Sequence, residues 1–177
     1  AARGLSHARR LREPEVWFER VAAAWRALDG RAGIFLVQLP PDFERDDDRL
    51  EYALKSLPDG VRAAVEFRHP SWVPGDDGDD AERVFELLER HGVAYCVMSG
   101  AGLPCVLRRT APFVYVRLHG PDHQHLYAGS YSDADLSWWA DRIAQWRDGG
   151  AEVFAYFNND GEGHAVRNAR TLRDLLT

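Results

Sequence analysis

The apolar positions along the chain alternate between two rhythms. Short β-rich runs, most of them nearly continuous in apolar residues, lie at residues 33–39 (GIFLVQL), 63–69 (AAVEFRH), 94–99 (AYCVMS), 113–120 (FVYVRLHG) and 152–158 (EVFAYFN). Such runs suit parallel strands covered on both faces. Between them the period lengthens to that of a helix. Trp17, Val21, Trp25 and Leu28 form a stripe that Pro14 opens and Gly30 closes. Leu50, Ala53, Leu54 and Leu57 form the next, stopped by Pro58. Ala81, Val84, Leu87 and Leu88 follow, with Asp79 or Asp80 as cap and Gly92 as stop. Ser132 and Asp135 have capping-box spacing ahead of Leu136, Trp139, Ile143 and Trp146, and Gly149 closes that helix. The last stripe is Ala165, Ala169, Leu172 and Leu176. Aromatic residues on these stripes read as core and not as a ligand cage.

The chain therefore reads α-βα-βα-β-βα-βα. Its first strands recur about every 30 residues, the length of a right-handed βαβ unit. Five parallel strands fit either an open doubly wound sheet or part of an eight-stranded barrel. A complete (β/α)₈ barrel takes about 250 residues, so this chain is about three units short, and it opens on a helix. The expected fold is α/β: a TIM-type barrel, here incomplete, with about five parallel strands, outer helices and one domain over residues 1–177. Open barrel edges would invite self-association.

Composition narrows the function. The 177 residues carry 22 Lys and Arg against 28 Asp and Glu, a net charge of −6. That excludes a generally basic nucleic-acid coat and disfavours a nucleic-acid partner without excluding a local basic groove. No apolar run approaches the ~20 residues of a membrane span, and the N-terminus lacks a signal-peptide core. Cys96 and Cys105 make neither a disulfide framework nor a zinc knuckle, which points to a reducing, cytoplasmic setting. Residues 74–80 (PGDDGDD) read as a solvated acidic loop.

Polar residues gather at the carboxyl ends of the strands. Gln38 ends the first, Glu66, Arg68 and His69 the second, Arg117 and His119 the fourth, and Asn158 the fifth. Side chains alternate faces along a strand, so Glu66 shares a face with Arg68, and Arg117 with His119. In parallel α/β folds ligands bind beyond these ends. A titratable imidazole with a tuning partner can act as acid or base. His119 is the expected acid or base and Glu66 its orienter or the base itself. Arg68 and Arg117 clamp an anionic or carbonyl group, and Gln38 and Asn158 complete the rim. The competing reading makes Glu66 and the arginines an ion-pair plug with no catalytic role.

The segments LSHARRL, FLVQLPPDF, RLEYALKSLP, VEFRHPSW, YVRLHG and YFNNDGEGHAVRNA, in that order, resemble the domain-of-unknown-function-72 (YecE-like) family over essentially all 177 residues. The resemblance implies a TIM-type barrel with no established reaction. It also implies that the family's first three strands, within about seventy residues, precede Ala1. It places Ser6 and His7 on the same carboxyl rim, which adds His7 to the substrate-binding set.

Other chemistries are weaker. His7, Glu66, His69, His119 and Asp160 offer ligands for a divalent metal, but two arginines in the same ring repel a cation. No cofactor is expected. The glycines around Glu162 could present amides to phosphate, yet Asp160 and Glu162 oppose an anion there, and Asp160 can cap the last helix. No dinucleotide fingerprint, Walker A, nucleophile elbow or C-x-x-C is present. The favoured reading is a hydrolase or lyase acting on an anionic small molecule, sugar phosphate or nucleic-acid fragment. The alternative is a non-catalytic ligand-binding or interaction module.

Overall fold

Apolar runs bounded by glycine and proline pair side by side in chain order in the computed structural model, which describes residues 3–28, 31–73 and 79–177. The strands are β1 (Phe35–Gln38), β2 (Ala63–Glu66), β3 (Ala94–Ser99), β4 (Phe113–Leu118) and β5 (Glu152–Phe157). They make one parallel sheet ordered β1-β2-β3-β4-β5. Helices flank it: α1 (Pro14–Leu28), α2 (Asp47–Lys55), α3 (Asp79–Arg90), α4 (Asp133–Asp148) and α5 (His164–Leu175). The first two strands are shorter than the apolar runs predict. Pro40 and Pro70 follow them closely, and a proline removes a ladder donor and restricts the residue before it. The chain divides into two compact units, Ala1–Tyr95 and Cys96–Thr177.

In the first unit β1 and β2 pair from Phe35 opposite Ala63 to Gln38 opposite Glu66, and Val65 continues to Tyr95. Helix α1 buries Phe18 and Val21. The expected stripe through Trp17 and Leu28 is displaced: Leu28 is exposed, and Phe18 meets Phe35 edge-on at 6.3 Å. Trp25 keeps a contact of the same kind, 6.0 Å from Phe35. Trp17 lies instead against Gly4 of a π-helical turn, Gly4–Ala8, where a Cβ would come within 2.0 Å of the indole. Only glycine permits that approach. Helix α2 starts at Asp46, whose side chain accepts the Arg49 N–H, and buries Leu50, Ala53 and Leu54. Helix α3 buries Val84, Phe85, Leu87 and Leu88. The side chains of Asp79, Asp80 and Ala81, the stop at Gly30 and the acidic run 74–78 lie outside the described residues.

In the second unit β3 pairs with β4 from Cys96 opposite Tyr115 to Ser99 opposite Leu118, and β4 pairs with β5 along its whole length. Helix α4 opens on the expected capping box, with Ser132 and Asp135 each accepting the other's backbone N–H, and it ends at Gly149. Leu136, Trp139, Ala140 and Ile143 are its buried face. Helix α5 corrects the pattern. Its buried residues are Ala165, Asn168 and Leu172, while Ala169 is exposed. Asp160 makes no capping hydrogen bond; α5 is entered through Gly163 in the left-handed region, φ 73°.

Candidate functional site

The carboxyl end of β2 in the first unit carries a charge that has left water entirely. Glu66 has no exposed surface, and Arg68 Nε donates to its Oε1 at 2.6 Å from a side chain only 12% exposed. A carboxylate buried this deeply is tolerable only with a close cation. Gln38 stands opposite Glu66 in the register, at the end of the neighbouring strand.

Close by, the π-helical turn presents Ser6 and His7. Ser6 is buried, and its Oγ lies 2.9 Å from His7 Nδ1. Burial, reinforced by Arg3 and Arg68, holds the His7 imidazole below its ordinary value of 6.5, with Asp42 opposing. His7 is therefore neutral near pH 7. It borders a groove of about 680 Å³ lined by Arg9, Arg10, Arg12, Arg45 and Arg49, with Asp42 among the carboxylates. Three of the guanidinium groups are tied down. Arg45 makes a bidentate pair with Asp47 at 2.6 and 2.8 Å, Arg49 pairs with Asp46 at 2.9 Å, and Arg10 pairs with Asp42. Arg9 pairs with Glu13 at the surface, and Arg12 has no ion-pair partner among the described residues.

The groove stands on a backbone that ordinary residues avoid. Arg10, Leu11 and Glu13 all have positive φ, at 48°, 63° and 48°. Such conformations persist where the surroundings over-determine them, and here Leu5 and Leu11 anchor the turn with at most 2% of their surface exposed. His69 makes a structural tie. Its Nδ1 accepts from the Ser71 N–H at 3.2 Å and contacts Ser71 Oγ at 2.8 Å, and that Oγ accepts the Arg45 N–H.

In the second unit Arg117 and Asn158 meet at the ends of β4 and β5, Arg117 Nε donating to Asn158 Oδ1 at 3.2 Å. His119 follows β4 and is wholly buried, with its ring edge-on to Tyr127 at 5.2 Å. Gly100 lies against it so closely that a Cβ there would fall 2.8 Å from both His119 Cβ and Leu126 Cδ1. Within the first unit Gln38, Glu66 and Arg68 sit at or just past strand ends and His7 on the π-helical turn; within the second Arg117, His119 and Asn158 sit at or just past strand ends.

Sequence patterns missed the groove arginines, which belong to turns and to the polar face of α2. They also missed a buried amide pair. Asn159 Nδ2 donates to the Gly129 carbonyl and to Asn168 Oδ1, both at 2.9 Å. Asn168 takes the Tyr131 N–H and returns a bond to the Tyr131 carbonyl, each at 3.2 Å. Among the described residues no group of three or more His, Cys, Asp or Glu side chains could hold a metal ion. Nor is any described helix long and apolar enough to cross a membrane.

A family model described as "Protein of unknown function DUF72" matches residues 1–177. Among solved structures, the chain is similar to a DUF72 family protein from Thermotoga maritima MSB8, with a TM-score of 0.82 and 24% identity over 98% of this chain and 70% of that one. It is also similar to one from Enterococcus faecalis V583, at 17% identity. Two crystal structures of that protein give TM-scores of 0.79, over 99% of this chain and 69% of that one, and 0.78, over 99% and 72%. These likenesses establish a shared fold. No curated protein matches the chain.

Proposed function

Because the chain belongs to the DUF72 family, whose function is unknown, we propose from its geometry that it is a single-domain TIM-type barrel enzyme, a hydrolase or lyase. Its ligand is an anionic small molecule such as a sugar phosphate, bound at the carboxyl ends of the strands. The barrel part of this reading rests on the parallel strands in chain order. The ligand part rests on one observation: the groove beside His7, where five arginines face three carboxylates, Asp42, Glu44 and Asp46. Four of the five are paired, with Asp47, Asp46, Asp42 and Glu13, so a phosphate or carboxylate falls to the forked donors of Arg12. Arg12 is the clamp free to turn to a ligand. His7, held neutral, is equipped to accept a proton from a bound hydroxyl. In the second unit Arg117 and Asn158 offer a further clamp, with His119 as acid or base.

Glucose 6-phosphate and inorganic phosphate are the probes. At low ionic strength each should raise the melting temperature of the intact chain, and Arg12→Ala should remove the rise. Arg117→Ala separately tests the second clamp. No stabilisation by either probe would overturn the anionic ligand.

A second reading has its own support. Glu66 lacks any exposed surface and already holds Arg68 at 2.6 Å. In a non-catalytic binding module this pair would serve only to fix the end of β2. Stabilisation by the phosphate probes that survives Glu66→Gln, with no turnover of the phosphate ester, would favour that reading.

A further inference from the structure

The groove beside His7 holds two charges of opposite sign that the fold leaves unmatched. Arg45, Arg49, Arg10 and Arg9 are held by Asp47, Asp46, Asp42 and Glu13. Arg12 and Glu44 line the same groove, and neither makes an ion pair or a side-chain hydrogen bond among the described residues. We propose that the groove takes a phosphorylated amine, an amino sugar phosphate in class, with its phosphate on Arg12 and its ammonium on Glu44. This ligand rests on the anion reading above and adds to it a second charged group.

Charge gives the first argument. One open cation and one open carboxylate on the same concave surface are complementary to a molecule that carries both charges. A plain phosphate would satisfy Arg12 and bring its remaining negative charge toward Glu44, Asp42 and Asp46. A neutral sugar would leave both charges unused. An ammonium has only donors and a carboxylate only acceptors, so an amine beside Glu44 fills what the groove leaves open. His7, neutral near pH 7, borders the groove without adding a third charge.

The backbone beneath both charges gives the second argument. On one side of Glu44 the Phe43 carbonyl accepts the Trp72 indole N–H at 2.7 Å, and on the other the Arg45 N–H donates to Ser71 Oγ at 2.8 Å. Phe43 is buried and meets the Trp72 ring edge-on at 5.5 Å. Arg12 stands between Leu11 and Glu13, both in the left-handed region, and its own N–H donates to the Arg9 carbonyl at 3.0 Å. Strain of this kind gathers at ligand clamps, where the surroundings over-determine it. The Arg10–Asp42 pair ties the two segments together. Each open side chain therefore projects from a fixed main chain, which lowers the ordering cost of binding. A groove of about 680 Å³ is of small-molecule size.

Both side chains reach water, so the ammonium is worth a severalfold effect and not orders of magnitude. The test is a calorimetric titration of the intact chain, at pH 7 and low ionic strength, with glucosamine 6-phosphate and glucose 6-phosphate. The two probes differ by an ammonium in place of one hydroxyl. Glucosamine 6-phosphate should bind at least about threefold tighter. Glu44→Gln should erase that preference and Glu44→Lys should reverse it. Asp59→Asn, which removes an exposed carboxylate off the groove, should keep it. Arg12→Ala should abolish binding of both probes. Equal binding of the two by the parent chain, or a preference that survives Glu44→Gln, would overturn the amine and leave the anion site standing. Binding of neither probe would overturn both.

Discussion

Arg68 and Glu66 are two residues apart in sequence and 2.6 Å apart in space, and they share the carboxyl end of β2 with Glu66 fully shielded from water. Such a pair adds little net stability when whole but is expensive to break from one side. Arg68→Ala should cost about 3–5 kcal/mol in urea denaturation, because it takes the close cation from a buried carboxylate. The double variant Arg68→Leu/Glu66→Leu should recover most of that loss. A single variant within about 1 kcal/mol of the parent, close to the usual ±0.5 kcal/mol of a surface change, would show that Arg68 is not what makes the buried carboxylate tolerable.

Gly100 is a packing glycine. A methyl group there meets His119 and Leu126, each at 2.8 Å, and overfilling a tight site typically costs about 1–3 kcal/mol. Gly100→Ala should lower stability by that amount. Leu126→Ala in the same chain should return part of it, as a double-mutant cycle would reveal.

The Asn168 amide should be worth more than its place on a surface helix suggests. Asn168→Ala leaves the Tyr131 N–H and Asn159 Nδ2 without their shared acceptor. Buried donors left unpaired cost roughly 1–3 kcal/mol each. Asn168→Ala should therefore destabilise the chain by at least about 2 kcal/mol, while Ala169→Ser, one residue along on the exposed face, should be neutral. Thermal unfolding of the two variants makes the comparison.

Asp47 ties acid sensitivity to Arg45. Hydrogen bonds from that guanidinium, at 2.6 and 2.8 Å, are the main reason its carboxyl lies below the ordinary value of 3.8. A carboxyl whose pKa is depressed by folding binds its proton more readily when the chain is unfolded. Its contribution is complete above pH 3.8 and is lost as pH falls through the lower folded value. Asp47→Asn should thus lower stability at neutral pH and flatten the fall in stability below about pH 4. Parallel denaturation curves for parent and variant across that range would contradict the assignment.

The strand pattern was legible because parallel strands covered on both faces are written as apolar runs, as at residues 94–99 and 113–118. Helix faces were legible only to within a position or two. In α1 the buried residue is Phe18 rather than Trp17, since an apolar pair next to each other leaves the facing ambiguous and the sheet chooses. Asn168 was unreadable for a different reason. A buried amide looks like surface in any hydropathy pattern until its partners Tyr131 and Asn159 are brought beside it. The groove was hidden likewise, because its arginines come from two separate segments, residues 9–12 and 45–49, that are ordinary polar stretches on their own.

The left-handed run at Arg10, Leu11 and Glu13 gives the groove an evolutionary signature. Each such backbone costs on the order of 1 kcal/mol for a residue other than glycine, so a screen for thermostability would be drawn to glycine at positions 10 and 13. Arg10 lines the groove, and glycine at that position would remove a guanidinium along with the strain. Selection for heat resistance and selection for ligand would then pull this turn in opposite directions. Sequence drift at residues 10 and 13 under each regime records which one governs the natural protein.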